Sequence, residues 1–174
     1  MDEIIYNGKR FIRYSAKWAD SNYMIVHETL QVALNKLYIS TLDFSSFGVD
    51  ELVAEGDKFK QSATYDCAIA FYEKAIDLCG GELLAYILPR ITSCYRHLHM
   101  AQKAIDLFSY AKNKYGEGFI TPALLTSAAA AYCDLKEYQK ALQCCRWAYR
   151  RLDGNHDPNL SAVFGRIKKE SGLE

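Results

Sequence analysis

Small and large apolar residues alternate at helical spacing in three stretches of this 174-residue chain. In YDCAIAFYEKAIDL, Ala68, Tyr72 and Ala75 fall at i, i+4 and i+7, on one helix face. Two small residues flank one large ring, so a neighbouring helix can come close while the ring fills the gap. Ala104, Phe108 and Ala111 repeat the arrangement, and so do Ala141, Cys145 and Ala148. From Ala68 to Ala104 is 36 positions, and from Ala104 to Ala141 is 37. A pattern recurring at a near-fixed period predicts stacked helical units, each a helix–turn–helix. The units run over about 49–82, 83–118 and 122–155.

The rest of the chain is read around these units. Asn7-Gly8, between EIIY and KRFIRY, suits a two-residue hairpin turn, because both central residues need positive φ. In that register Tyr6 faces Lys9 and Ile4 faces Phe11. Such a hairpin is marginal alone, so it docks as a lid on the helices or on a partner or second copy. Asp20 or Ser21 is the expected N-cap of a helix carrying Val26, Leu30, Leu34 and Leu37. Leu42, Phe44 and Phe47 anchor a serine-rich linker. Gly56 admits close approach of a facing helix, and Gly80-Gly81 is the expected end of the first unit. Pro89 predicts either a helix starting near Leu88 or a kinked turn before it. Thr121 caps, and Pro122 opens, the third unit. Asp157-Pro158 starts a last helix, over about 158–170, whose polar side suits the end of a stack. The reading is all-α, with an N-terminal extension of hairpin plus helix over 1–48 and a repeat array over 49–174.

Composition narrows the function. Lys plus Arg and Asp plus Glu number 21 each, so no net field favours a general polyanion binder. The start MDEIIYNGKRF lacks an export-signal pattern, and no apolar run reaches the ~18 residues of a membrane span. With no such signal, the six cysteines read as buried apolar residues of a cytoplasmic protein. Cys94, His97 and His99 are the nearest approach to a metal cluster, but His99 points away from the face shared by the other two. Cys144-Cys145 lacks the spacer of a redox pair. No phosphate-cradling glycine motif occurs. The expectation is a non-catalytic protein with no cofactor and no metal.

The three units resemble the tetratricopeptide repeat (TPR). Leu52, Gly56, Phe59, Tyr65, Ala68, Tyr72 and Ala75 carry the pattern in the first unit. Leu88, Tyr95, Ala104, Phe108 and Ala111 carry it in the second; Leu125, Ala129, Tyr132, Tyr138, Ala141 and Ala148 carry it in the third. Thr92 stands where the small glycine is usual, and Cys145 where a ring is usual. The resemblance implies a TPR-like helix-turn-helix repeat stack, an α-solenoid with a C-terminal capping helix. It also implies a scaffold that takes a peptide or protein partner in a groove lined by the first helix of each unit.

Carried over by position, the resemblance places Asp57 and Lys60 in that groove from the first unit. Tyr86, Arg90, Ser93, Arg96 and His97 come from the second, and Ser127 and Asp134 from the third. Asp50, Val53, Ala123 and Ala130 complete the expected lining. The lysine/asparagine clamp that some members use for a chain terminus is missing at Val53, Asp57, Pro89, Ser93 and Ala130. Two alternatives stand beside the scaffold. One is a nucleic-acid-associated module using Lys9, Arg10 and Arg13 or the basic C-terminal helix, with Arg146, Arg150 and Arg151 flanking Trp147. The other is a self-associating subunit joined through Phe11, Tyr14 and Trp18.

Overall fold

The structure, a computed structural model, describes residues 2–14, 17–79 and 81–172. Three strands, β1 (Glu3–Tyr6), β2 (Lys9–Tyr14) and β3 (Lys17–Ala19), precede the helices α1 (Glu28–Thr41), α2 (Val49–Gln61), α3 (Tyr65–Leu78) and α4 (Gly81–His97). Then follow α5 (Ala101–Tyr115), α6 (Pro122–Asp134), α7 (Tyr138–Arg151) and α8 (Pro158–Ser171). The elements fall into two compact units, Met1–Cys79 and Gly80–Glu174.

In the first unit the hairpin forms in the expected register, Tyr6 opposite Lys9 and Ile4 opposite Phe11. Asn7 and Gly8 take φ of 49° and 73°, as a turn matched to strand twist requires. A third strand, β3, adds antiparallel to β2. The sheet does not stand alone. Ile4, Phe11 and Trp18 on one face form a core with Leu34 of α1. The Trp18 indole N–H donates to Asn35 Oδ1 at 2.9 Å, so the polar atoms of this buried pair are satisfied. Arg13 lies flat between rings, its guanidinium 4.7 Å from the Tyr38 centroid and 4.2 Å from that of Phe59. It also donates to Asp2 Oδ2 at 2.9 Å.

Helix α1 starts six or seven residues later than the Asp20–Ser21 signal implies, with its cap at His27. Asp20 Oδ1 instead accepts from the backbone N–H groups of Asn22 and Met24, at 2.9 and 3.0 Å. That turn folds the chain back so that Ile25 bridges Ala19. His27 is the cap, its Nδ1 accepting from Thr29 N at 3.4 Å. The linker rings behave as expected: Phe44 and Phe47 pack edge-on against Phe71, with centroids at 5.3 and 6.0 Å. Helices α2 and α3 pair through Gly56. A Cβ there would sit 2.6 Å from Tyr72 Cε1, so only glycine fits over that ring. Helix α3 ends at Leu78 on an extended Cys79, not on a glycine cap. Gly80 lies outside the described residues, and Gly81 opens α4.

In the second unit α4 pairs with α5 and α6 with α7, and α8 closes against α6 and α7. Helix α4 runs unbroken through Pro89, against both forms of the expectation. A mid-helix proline removes one hydrogen bond at a cost of about 3 kcal/mol. Packing offsets it: Ile87, Leu88 and Ile91 around the ring are all nearly inaccessible. Thr121 Oγ1 accepts from Leu124 N at 3.2 Å and Pro122 opens α6, as the sequence indicates. Asp157 caps α8 by accepting from Asn159 N and Leu160 N.

The repeat is written twice in the structure. The alanine–ring–alanine positions are buried in all three second helices: Ala68, Tyr72 and Ala75; Ala104, Phe108 and Ala111; Ala141, Cys145 and Ala148. The turn between paired helices also recurs. Ala63, His99 and Lys136 take φ of 58°, 58° and 61°, at steps of 36 and 37 residues. After each, a backbone N–H reaches back five residues: Thr64 to Phe59, Met100 to Tyr95, Glu137 to Tyr132. This is a helix-ending motif that satisfies otherwise orphaned carbonyls.

Candidate functional site

Helices α4 and α6 lie side by side in the second unit and carry most of the residues expected to line a groove. Two ties hold them in register. Ser127 Oγ donates to Pro89 O at 3.4 Å. Arg96 Nε donates to Asp134 Oδ2 at 2.7 Å. Asp134 is shared: its Oδ1 accepts from Arg166 Nη1 on α8 at 2.7 Å, and Arg166 Nε reaches Glu170 at 2.7 Å. Arg96 and Asp134 are thus engaged with each other and with the end of the array. Arg166 gave its signal in the sequence as an i,i+4 pair with Glu170, but its reach to Asp134 is legible only in three dimensions.

Among the described residues, Leu83, Tyr86 and His97 are the exposed side chains of α4, and Arg90 is half-buried beside Tyr86. Tyr86 is 52% exposed. The Arg90 guanidinium lies 3.6 Å from its ring centroid and donates to the Tyr86 carbonyl at 3.0 Å. A flat cation held on a flat ring makes a preorganised amphipathic plate. Ser93 is half-buried one turn on, and His97 is exposed at the end of α4. Val53 and Ala130 do not belong to any lining: both are buried. In the first unit Asp57 Oδ1 accepts from Tyr72 OH at 2.5 Å, pinning the ring that covers Gly56. Lys60 is half-buried on the same helix.

None of the six cysteines is in a disulfide, and five are buried. Burial holds Cys144 up to about 11 and Cys145 up to about 12, and pushes Cys67 higher still. Thiols so raised are protonated near neutral pH and poor nucleophiles. Among the described residues no group of three His, Cys, Asp or Glu side chains is placed to hold a metal ion. No helix among them is long and apolar enough to cross a membrane.

The residues proposed for other partners are differently placed. Phe11 and Trp18 are in the core of the first unit, which leaves Tyr14 as the exposed member of that trio. Arg10 pairs with Glu3, and the Arg13 side chain is only 7% exposed.

Paired helices, a shared turn and small residues buried at a fixed period define a TPR-like fold. Among solved structures, the TPR domain of Sgt2 from Aspergillus fumigatus is similar, with a TM-score of 0.62 at 15% identity. The match covers 71% of this chain and 79% of that one. No protein-family model matches the sequence, and no curated protein matches it.

Proposed function

We infer that the protein is a non-catalytic interaction module whose α4–α6 face takes a peptide or protein segment. The carrying observation is the Tyr86–Arg90 plate on α4, its tyrosine exposed and its arginine half-buried, beside a braced α6. Tyrosine and arginine are among the residues enriched at the anchors of protein contacts: tyrosine buries a large area at small cost in flexibility, and here the ring already holds the arginine in place. In this reading Tyr86 and Arg90 meet the ligand, and Ser93, His97 and Ser127 set its register. Arg96 and Asp134 position the two helices. Asp57 and Lys60 are the corresponding residues of the first unit's own face. That none of the six cysteines is in a disulfide favours a reducing compartment such as the cytoplasm.

The test is selection of binding peptides from a random display library on the intact chain. The selected peptides are expected to lose about tenfold or more in affinity to Tyr86→Ala with Arg90→Ala. Tyr110→Ala, equally exposed at 52% but on α5, is expected to leave them unchanged. Peptides that respond to Tyr110 and ignore Tyr86 and Arg90 would overturn the assignment of the face.

A further inference from the structure

The second unit has a cleft on the opposite type of helix, away from the α4–α6 face. It encloses about 420 Å³ and is lined by Lys112, Glu117, Gln143, Arg146, Trp147 and Arg150. Gln143, Arg146, Trp147 and Arg150 fall at i, i+3, i+4 and i+7, so they form one face of α7. The other face, with Ala141, Leu142, Cys144, Cys145 and Ala148, is buried. The floor is fixed. Arg151 donates to Ile120 O at 2.5 Å and to Glu117 O at 2.7 Å, tying α7 to the 3₁₀ turn Glu117–Phe119. Lys112 and Arg151 each lie 5.1 Å from the Trp147 ring centroid.

The charge of the cleft does not follow from the chain, whose net charge is zero. Three cations line it against one carboxylate, Glu117, which pairs with Lys112 at 3.3 Å. Arg146 and Arg150 are exposed and have no carboxylate partner among the described residues. The negative ends of α5 and α7 favour cations in their last turns, which accounts for Lys112 and Arg150. They do not account for Arg146, a full turn earlier. Two guanidinium forks one helical turn apart, unpaired, over a fixed floor, are suited to a tetrahedral dianion. A dianion also cancels the two excess positive charges, whereas a carboxylate or phosphodiester leaves one.

From this geometry we propose that the cleft binds a phosphate monoester, held by Arg146 and Arg150 with Lys112 at its side and Trp147 as the wall. A phosphorylated peptide side chain and a mononucleotide both present that group.

The chain carries its own reporter. Its two tryptophans are Trp18 and Trp147, and Trp18 is fully buried in the first unit. Titrations on the full chain would use a short phosphoserine peptide, its unphosphorylated form, AMP, a short single-stranded RNA and sodium chloride at matched ionic strength. The expected result is a saturable change in Trp147 emission with the phosphopeptide or AMP and with neither control. Tighter binding of the peptide assigns the source to a protein; tighter binding of AMP assigns it to a nucleotide. Affinity should fall about tenfold or more in Arg146→Gln with Arg150→Gln. It should also fall as pH drops from about 7.5 to about 5.5, because the monoester, with a second pKa near about 6, loses a charge. Circular dichroism checks that the variant is folded, and Arg146→Lys with Arg150→Lys offers a second, milder loss. No saturable response in the wild type, a response matched by sodium chloride, or tighter binding to single-stranded RNA than to the monoesters would overturn the proposal.

Discussion

At the scale of single residues, the packing turns on a few side chains whose neighbours leave them no choice. Gly56 is the clearest. Alanine there gains about 1 kcal/mol in helix propensity, but its Cβ would stand 2.6 Å from a ring that is itself fully buried and held by Asp57. Overpacking wins, and Gly56→Ala is expected to lower stability by about 1–3 kcal/mol in chemical denaturation. Unchanged or raised stability would mean that the helices are not in this close contact. Thr92 is the opposite case. It stands where the repeat pattern has glycine, it is fully buried, and its hydroxyl has no hydrogen-bond partner. Thr92→Val removes the stranded hydroxyl and keeps the shape. The variant should therefore be more stable, by about 1 kcal/mol, and a loss of that size would show that the hydroxyl is in fact satisfied.

At the scale of elements, the sequence reveals most where a short local signal meets no tertiary competitor. The Asn7-Gly8 hairpin, the Thr121-Pro122 start of α6 and the Asp157 cap of α8 are of that kind. The start of α1 is not: Asp20 has the side chain of a cap but uses it to turn the chain so that Ile25 can bridge Ala19. Strand β3 is three residues long, too short for any period to register. Pro89 is a breaker that buried neighbours on both sides override. The ties at the candidate face stayed hidden for a related reason. Arg96, Asp134 and Arg166 are far apart along the chain, and nothing local indicates that two arginines share one carboxylate. The inter-helix turns hold a further prediction. Ala63, His99 and Lys136 adopt a left-handed conformation that costs a residue with a Cβ about 1–2 kcal/mol. His99→Gly, at an exposed site, should stabilise the chain by about 0.5–1 kcal/mol in thermal or chemical unfolding. A destabilised variant would show that the His99 side chain matters more than its backbone.

At the scale of the whole molecule there are two compact units, each with its own buried core. The first closes a small sheet over α1 and the α2–α3 pair; the second stacks two pairs and a capping helix. Their common device is an alanine-flanked ring or sulfur at a 36–37-residue step, which sets helices close and leaves the first helix of a pair with an outward face. We propose that α4 and α6 use this face for a protein ligand. Amide chemical shifts of the isotope-labelled chain, recorded while a display-selected peptide is added, test it most directly. The expected shifts concentrate at Tyr86, Arg90, Ser93, His97 and Ser127. Shifts confined to α5 and α7, or to the outer surface of the sheet, would contradict it.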